Sequence, residues 1–314
     1  LVLRLVWLYN PLAWEFYYRN LPTELVGFRH ADQLKRAAES VRRQGPLRYL
    51  AVGSSQTYSV YETLSRRRED LKTFALSGST PLELVIYQDI VLRRQPRTVL
   101  LFLSEFDLAR RPAFATLPSS PYQGVRSFRL WRTTAEDCPE DVPHSEFFQL
   151  VAGDVVCEYK YSFVFKGLLE ASAGRLRALP ESSRTRVPPE GMLQQNLENL
   201  RRNLDERYMD LNAEYLEMFL RHLEKYGVRA VIVEGHYHPL AYTEKNLALH
   251  GRARTRLRDL AEGFPAVDFI PREAAPRLVE ADFADGYHLT REAGLRFSSW
   301  VLQHIESRRK TAHA

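Results

Sequence analysis

Apolar and polar positions follow two periods along this chain, and the switches between them mark out its elements. Leu47 to Gly53 (Leu-Arg-Tyr-Leu-Ala-Val-Gly) is a short apolar run, read as a buried strand. Gln56 to Arg66 changes to helical spacing. Leu71 to Leu76 is a second strand. Ser77-Gly78-Ser79-Thr80-Pro81 places hydroxyl caps before a Pro at the first turn, so a helix is predicted over Pro81 to Arg94. Arg97 to Leu103 is apolar enough to be a strand buried on both faces.

The alternation then stops. Residues 109 to 192 carry eight prolines among Ser and Gly, which predicts an insertion with short elements of its own, one of them a helix over Tyr159 to Leu179. Leucines and tyrosines from Leu193 to Leu223 recur mostly every three or four residues, predicting one long amphipathic helix over 192 to 226 that ends at Gly227. Val228 to Val233 is a fourth strand, Tyr242 to Glu262 a helix and Pro265 to Ile270 a fifth strand. Residues 271 to 289 read as a loop, and Arg291 to Arg308 as a last helix capped by Thr290. Five strands joined by helices predict a three-layer αβα fold with a five-stranded parallel, flavodoxin-like sheet in the order 2-1-3-4-5, carrying a large insertion after strand three. The organisation is a segment over 1 to 45, the α/β domain over 46 to 308 interrupted by the insertion, and a tail over 309 to 314.

Composition narrows the function. The 314 residues are 45% apolar and 26% charged, a balance that supports a real core. The net charge of +5 comes from a chain with seven Lys and thirty-seven Arg, but no basic tract interleaved with aromatics suggests a nucleic-acid partner. Residues 1 to 16 are apolar and aromatic, yet shorter than the about 20 residues that span a bilayer. They are either a buried amphipathic segment or the exit of a membrane helix removed upstream of Leu1. Cys138 and Cys157 share the Pro-rich insertion. They are two separate thiols or a disulfide; a bridge closing about twenty residues would add about 3 kcal/mol and imply an oxidising compartment.

Two segments carry the candidate chemistry. The first strand runs into Gly53-Ser54-Ser55-Gln56, placing a hydroxyl at a strand end where a helix begins. Asp285-Gly286-Tyr287-His288 precedes the last helix and supplies a carboxylate and an imidazole three residues apart. Together they form a candidate nucleophile, base and orienting acid: Ser55, His288 and Asp285. Each segment also has a plain reading, a serine helix cap in one case and a surface loop with a lone His in the other.

In combination the segments resemble the SGNH, or GDSL-like, hydrolase superfamily. Its Gly-Asp-Ser block corresponds to Gly53-Ser54-Ser55, its glycine after strand two to Gly78, and its Asp-x-x-His block to Asp285 and His288. The third block departs from the pattern. Ser104-Glu105-Phe106-Asp107 stands where the family has Gly-x-Asn-Asp, so Phe106 occupies the place of the oxyanion-binding Asn. The resemblance implies an oxyanion hole from the Ser55 and Gly78 amides, helped by Ser104. It also implies a branch similar to membrane-tethered acyl-transfer proteins of cell-envelope polymers, the teichoic acid D-alanyl-transfer and alginate O-acetylation type. The implied protein is an extracytoplasmic esterase or acyltransferase without a cofactor, acting on an O-acylated glycan or envelope polymer beside a membrane-bound acyltransferase. The alternative is a catalytically silent scaffold of the same fold, binding a glycan or such a partner.

Glu234-Gly235-His236-Tyr237-His238 follows strand four and should border the same cleft. Glu234, His236 and His238 are read as substrate contacts, against a metal site that lacks an evident third ligand and a structural loop. The aromatic stretch 159–165 is either a sugar platform or a buried edge. A nucleotide site at Gly53 to Gln56 is disfavoured, since no glycine-rich loop with a basic residue is present.

Overall fold

The computed structural model describes residues 47–76, 78–92, 95–112, 127–137 and 189–312. The segment 1–45, Cys138 and Cys157, the helix expected over Tyr159 to Leu179 and the aromatic stretch 159–165 lie outside the described residues.

Five strands form one parallel sheet in the order β2-β1-β3-β4-β5: β1 Tyr49–Gly53, β2 Leu71–Ala75, β3 Thr98–Leu103, β4 Arg229–Glu234 and β5 Val267–Ile270. The expected architecture and strand order are those observed. Side chains alternate across the sheet, and each set has its own helical layer. Leu50, Val52, Val99, Leu101 and Ile232 face the layer formed by α2 (Pro81–Ile86), α3 (Gln88–Leu92), α7 (Met209–Lys225) and α8 (Glu244–Glu262). Tyr49, Ala51, Leu100, Phe102, Val231 and Val233 face α1 (Ser55–Ser65) and α9 (Arg291–Ala312). Phe102 meets Phe297 of α9 edge-on, with ring centroids 5.7 Å apart. Every residue of β3 is buried, as a central parallel strand requires.

Between β3 and β4 the chain forms α4 (Glu105–Leu108), α5 (Ser127–Asp137) and α6 (Pro189–Arg202) before α7. Two expected helices are each divided. The stretch 192 to 226 is not one helix: α6 ends at Arg202, Asp205 caps a 3-10 turn at Glu206–Tyr208 by accepting from the Arg207 amide at 3.0 Å, and α7 starts afresh. Leu204 has left the helix to pair antiparallel with Arg110. The Pro81 helix is interrupted at Tyr87.

Close backbone approaches hold α1 in place. Gly53 has φ +153°, and a Cβ there would overlap Thr57 Oγ1. Gly294 lets α9 approach α1 until a Cβ would overlap the Ser59 carbonyl oxygen. Since α1 begins at Ser55 and α9 follows His288, this contact sets the distance between the two candidate catalytic segments. Among the described residues no helix is long and apolar enough to cross a membrane.

Candidate active site

The site lies at the carboxyl edge of the sheet, where β1 gives way to α1. Ser54 is the helix cap: its Oγ accepts from the Gln56 amide at 3.3 Å. Ser55 is thereby free of capping, and its Oγ lies 2.8 Å from His288 Nε2. His288 Nδ1 lies 2.7 Å from Asp285 Oδ2, while Asp285 Oδ1 accepts from the amides of Tyr287 at 2.9 Å and His288 at 2.8 Å.

These contacts fix the direction of the proton chain. Burial pushes the Asp285 carboxyl up, but the His288 ring and the two amides outweigh it and hold it below the ordinary carboxylate value. An ionised carboxylate only accepts, so Nδ1 of the neutral ring carries its proton and Nε2 accepts from the Ser55 hydroxyl. The His288 side chain is 28% exposed, so the imidazole is not sealed inside the protein.

The loop carrying Asp285 and His288 is held on both sides. The Ala284 amide donates to the His288 carbonyl at 2.8 Å, and Phe283 pairs with Leu289. Gln56, next to the serine, donates through Nε2 to the carbonyls of Tyr287 at 3.0 Å and His236 at 3.3 Å. Ser59 accepts from the Leu289 amide at 3.3 Å. Gln56 and Ser59 were not singled out from the sequence. The available signal was their spacing from Ser55, one and four residues, which puts both on the first turns of the same helix. From the other side, Leu197 of α6 lies 3.3 Å from where a Cβ on Gly286 would stand.

Two of the expected amides lie on elements that border this edge of the sheet. Ser55 heads α1, where the first N–H groups have no intrahelical acceptor. Gly78 follows β2, which runs beside β1 in the register Gly53↔Ala75, and has a left-handed φ of +74°. The third block contributes differently from the expectation. The Ser104 hydroxyl donates to Asp107 Oδ2 at 2.8 Å, and the residue is fully buried, so its proton is already committed. Burial raises the Asp107 carboxyl to about 6 against the Ser104 hydrogen bonds. Phe106 is 1% exposed and packs on Tyr237, with ring centroids 3.9 Å apart, and on His250 at 4.5 Å. It is a core residue of a small aromatic cluster.

The segment after β4 also differs from the expected row of substrate contacts. Glu234 is fully buried; it pairs with Arg254 and accepts from the Arg272 amide at 2.8 Å. His238 is 4% exposed, its Nδ1 accepting from the Leu240 amide at 3.2 Å. Both are therefore structural supports. His236 is half-buried, its ring 5.8 Å from that of Phe297, and burial lowers its pKa to about 4, so it is neutral near pH 7. Among the described residues no group of three His, Cys, Asp or Glu is placed to hold a metal ion. Behind this segment Glu105, 2% exposed, is clasped by Arg272 Nη2 at 2.6 and 2.8 Å and sits 3.5 Å from His250.

Comparison of the sequence with protein-family models and with curated proteins finds no match. Solved structures similar to the chain include a provisionally assigned platelet activating factor from Streptococcus pneumonia, with 10% identity and a TM-score of 0.44 over 94% of this chain and 99% of that one. A provisionally assigned acylhydrolase from Bacteroides fragilis has 10% identity and a TM-score of 0.41 over 95% and 97%. A GDSL-like lipase from Bacteroides thetaiotaomicron has 9% identity and a TM-score of 0.41 over 93% and 98%. Similarity this distant identifies neither a reaction nor a substrate for this chain.

Proposed function

We propose that this protein is a serine-dependent acyl-transfer enzyme of SGNH type, an esterase or O-acyltransferase. The observation that carries the reading is the continuous chain from Ser55 Oγ through His288 to Asp285, at 2.8 and 2.7 Å. Ser55 Oγ attacks the ester carbonyl while its proton passes to His288 Nε2. The carbonyl oxygen becomes an oxyanion facing the Ser55 and Gly78 amides. Collapse breaks the ester C–O bond, and the leaving alcohol takes the proton from Nε2. The acyl group then rests on Ser55. Water or an acceptor hydroxyl attacks it, His288 again takes and returns the proton, and Ser55 is released. Asp285 stays ionised throughout, holds the ring by Nδ1–H and stabilises the imidazolium.

The substrate we assign is an O-acylated glycan or similar cell-envelope polymer, met outside the cytoplasmic membrane beside a membrane-bound acyltransferase. This part rests on the similarity of the Gly-Ser-Ser block, with its departures, to the envelope acyl-transfer branch. A silent scaffold is the competing reading, and the buried Phe106 in the third block favours it. A nitrophenyl acetate assay separates the two. The enzyme reading predicts slow turnover by wild type that Ser55→Ala and His288→Ala abolish to a similar extent, because members of such a chain act as a unit. Equal inertness of wild type and Ser55→Ala toward all acyl donors, with and without a membrane partner, supports the scaffold.

A further inference from the structure

Arg110 brings a positive charge to this site with no counterion among the described residues. It follows α4 by two residues and is half-buried. Its backbone is fixed: it pairs with Leu204, and its carbonyl accepts from Asn212 Nδ2 at 2.7 Å. The side chain reaches back across the sheet edge to the loop after β2. There, Nη2 lies 3.2 Å from where a Cβ on Gly78 would stand. Its charge acts on the phenols of Tyr237 and of Tyr287, the residue beside His288, opposing the burial that raises both. It also acts on Asp107, yet the two form no ion pair, since that carboxylate is held by the Ser104 hydroxyl and amide. The guanidinium makes no hydrogen bond or ion pair with any described residue.

Resting on the serine acyl-transfer reading, we propose that Arg110 is the third oxyanion donor of this site, in place of the side-chain amide that Phe106 lacks. A guanidinium is permanently charged and offers five N–H donors in a fixed fork. A Cβ at Gly78 would press on Nη2 at 3.2 Å, so the glycine leaves the guanidinium room at this loop. Arg110 lies beyond the end of α4, in the bridge with Leu204, and its longer side chain covers the distance back to the site. The guanidinium neither gives nor takes a proton. It acts on the charge that develops as the carbonyl carbon becomes tetrahedral, and so favours the transition state over the bound ester.

The test compares wild type, Arg110→Ala, Arg110→Lys and Ser55→Ala on nitrophenyl acetate and on the anionic mono-nitrophenyl succinate, with and without millimolar guanidinium ion. Arg110→Ala is expected to lower kcat by about 10²–10³-fold on both esters, with KM little changed and thermal stability retained. Arg110→Lys should keep part of the rate. Added guanidinium should restore part of it in Arg110→Ala and none in Ser55→Ala. A loss confined to KM for the succinate ester would make Arg110 a recognition residue for a substrate anion and overturn the proposal. An unchanged kcat beside a dead Ser55→Ala would overturn it while leaving the serine reading intact. So would a lost kcat accompanied by a lowered melting temperature, with no rescue by Lys or guanidinium. If wild type itself never exceeds Ser55→Ala, the underlying reaction is wrong and the proposal falls with it.

Discussion

In the proposed reaction Ser55, His288 and Asp285 carry separable duties, and single substitutions should separate them. Ser55→Ala removes the attacking oxygen and His288→Ala the proton acceptor. Asp285→Asn leaves a group that can still meet Nδ1, but with the amide able to donate, the ring proton shifts to Nε2, which then cannot accept from Ser55. Its kcat should therefore fall, by no more than that of Ser55→Ala, with KM little changed in a steady-state ester assay. Phe106→Asn tests the opposite idea, that the family's amide can be put back. Phe106 is 1% exposed against Tyr237 and His250, so the change leaves a cavity and a buried amide. A cost of about 3–5 kcal/mol is expected, read as a lowered denaturation midpoint, without a gain in kcat. These residues also show what a sequence discloses. The serine, histidine and aspartate were legible because a hydroxyl at the end of β1, and a carboxylate three residues before an imidazole at the head of the last helix, supply the three groups that a nucleophilic chain needs. Ser104 and Glu234 sit at the expected strand ends, but they are engaged by Asp107 and Arg254, and the buried His238 beyond them accepts through Nδ1 from the Leu240 amide. Position along the chain reveals the strand end and not the partner.

Elements set the spacing that the residues need. The contact of α9 with α1 at Gly294 and Ser59 holds the His288 loop over Ser55. Gly294→Ala would gain about 1 kcal/mol of helix propensity. It also places a Cβ against the Ser59 carbonyl, and forced separation of packed elements costs about 1–3 kcal/mol. Calorimetry should show a lower melting temperature, and ester turnover should fall with it. Behind β4, Glu105 anchors Arg272. Burial pushes the Glu105 carboxyl up, but His250 and Arg272 outweigh it and lower it from 4.5 to about 2. A carboxylate with a lowered folded value binds fewer protons folded than unfolded between those values. Its stabilisation is thus complete above about pH 4.5 and lost as pH falls toward 2. Glu105→Gln should cost about 3 kcal/mol at neutral pH, since Arg272 loses its closer carboxylate and keeps only Glu234 at 3.7 Å. In denaturant titrations at successive pH values, the gap from wild type should shrink below pH 4.5. Strands were the most legible elements, because their short apolar runs are bounded by turn residues and, as in β1 and β3, buried throughout. The two divided helices were not. The leucine stripe continues across Asn203 to Asp205, where the cap at Asp205 and the pairing of Leu204 with Arg110 end the helix. At Tyr87 no Gly or Pro marks the break.

At the scale of the molecule, the order β2-β1-β3-β4-β5 puts β1 inside the sheet with neighbours on both sides, so the end of β1 opens into the crevice such sheets use. That arrangement was legible from the alternation of strands and helices together with the switch-point rule for such sheets. The chain between β3 and β4 was less so, since its helices pack through tertiary contacts that a Pro-rich segment does not announce. α6, for example, seats Leu197 against Gly286 in the loop between Asp285 and His288. The proposed reaction requires that this crevice perform covalent chemistry at one atom. Intact-protein and peptide mass spectrometry of wild type, quenched during reaction with an activated acetate ester, tests this most directly. A single added acetyl group is expected, located on Ser55, that disappears as hydrolysis proceeds and never forms in Ser55→Ala. An acetyl group on another residue, or equal labelling of wild type and Ser55→Ala, would contradict the mechanism.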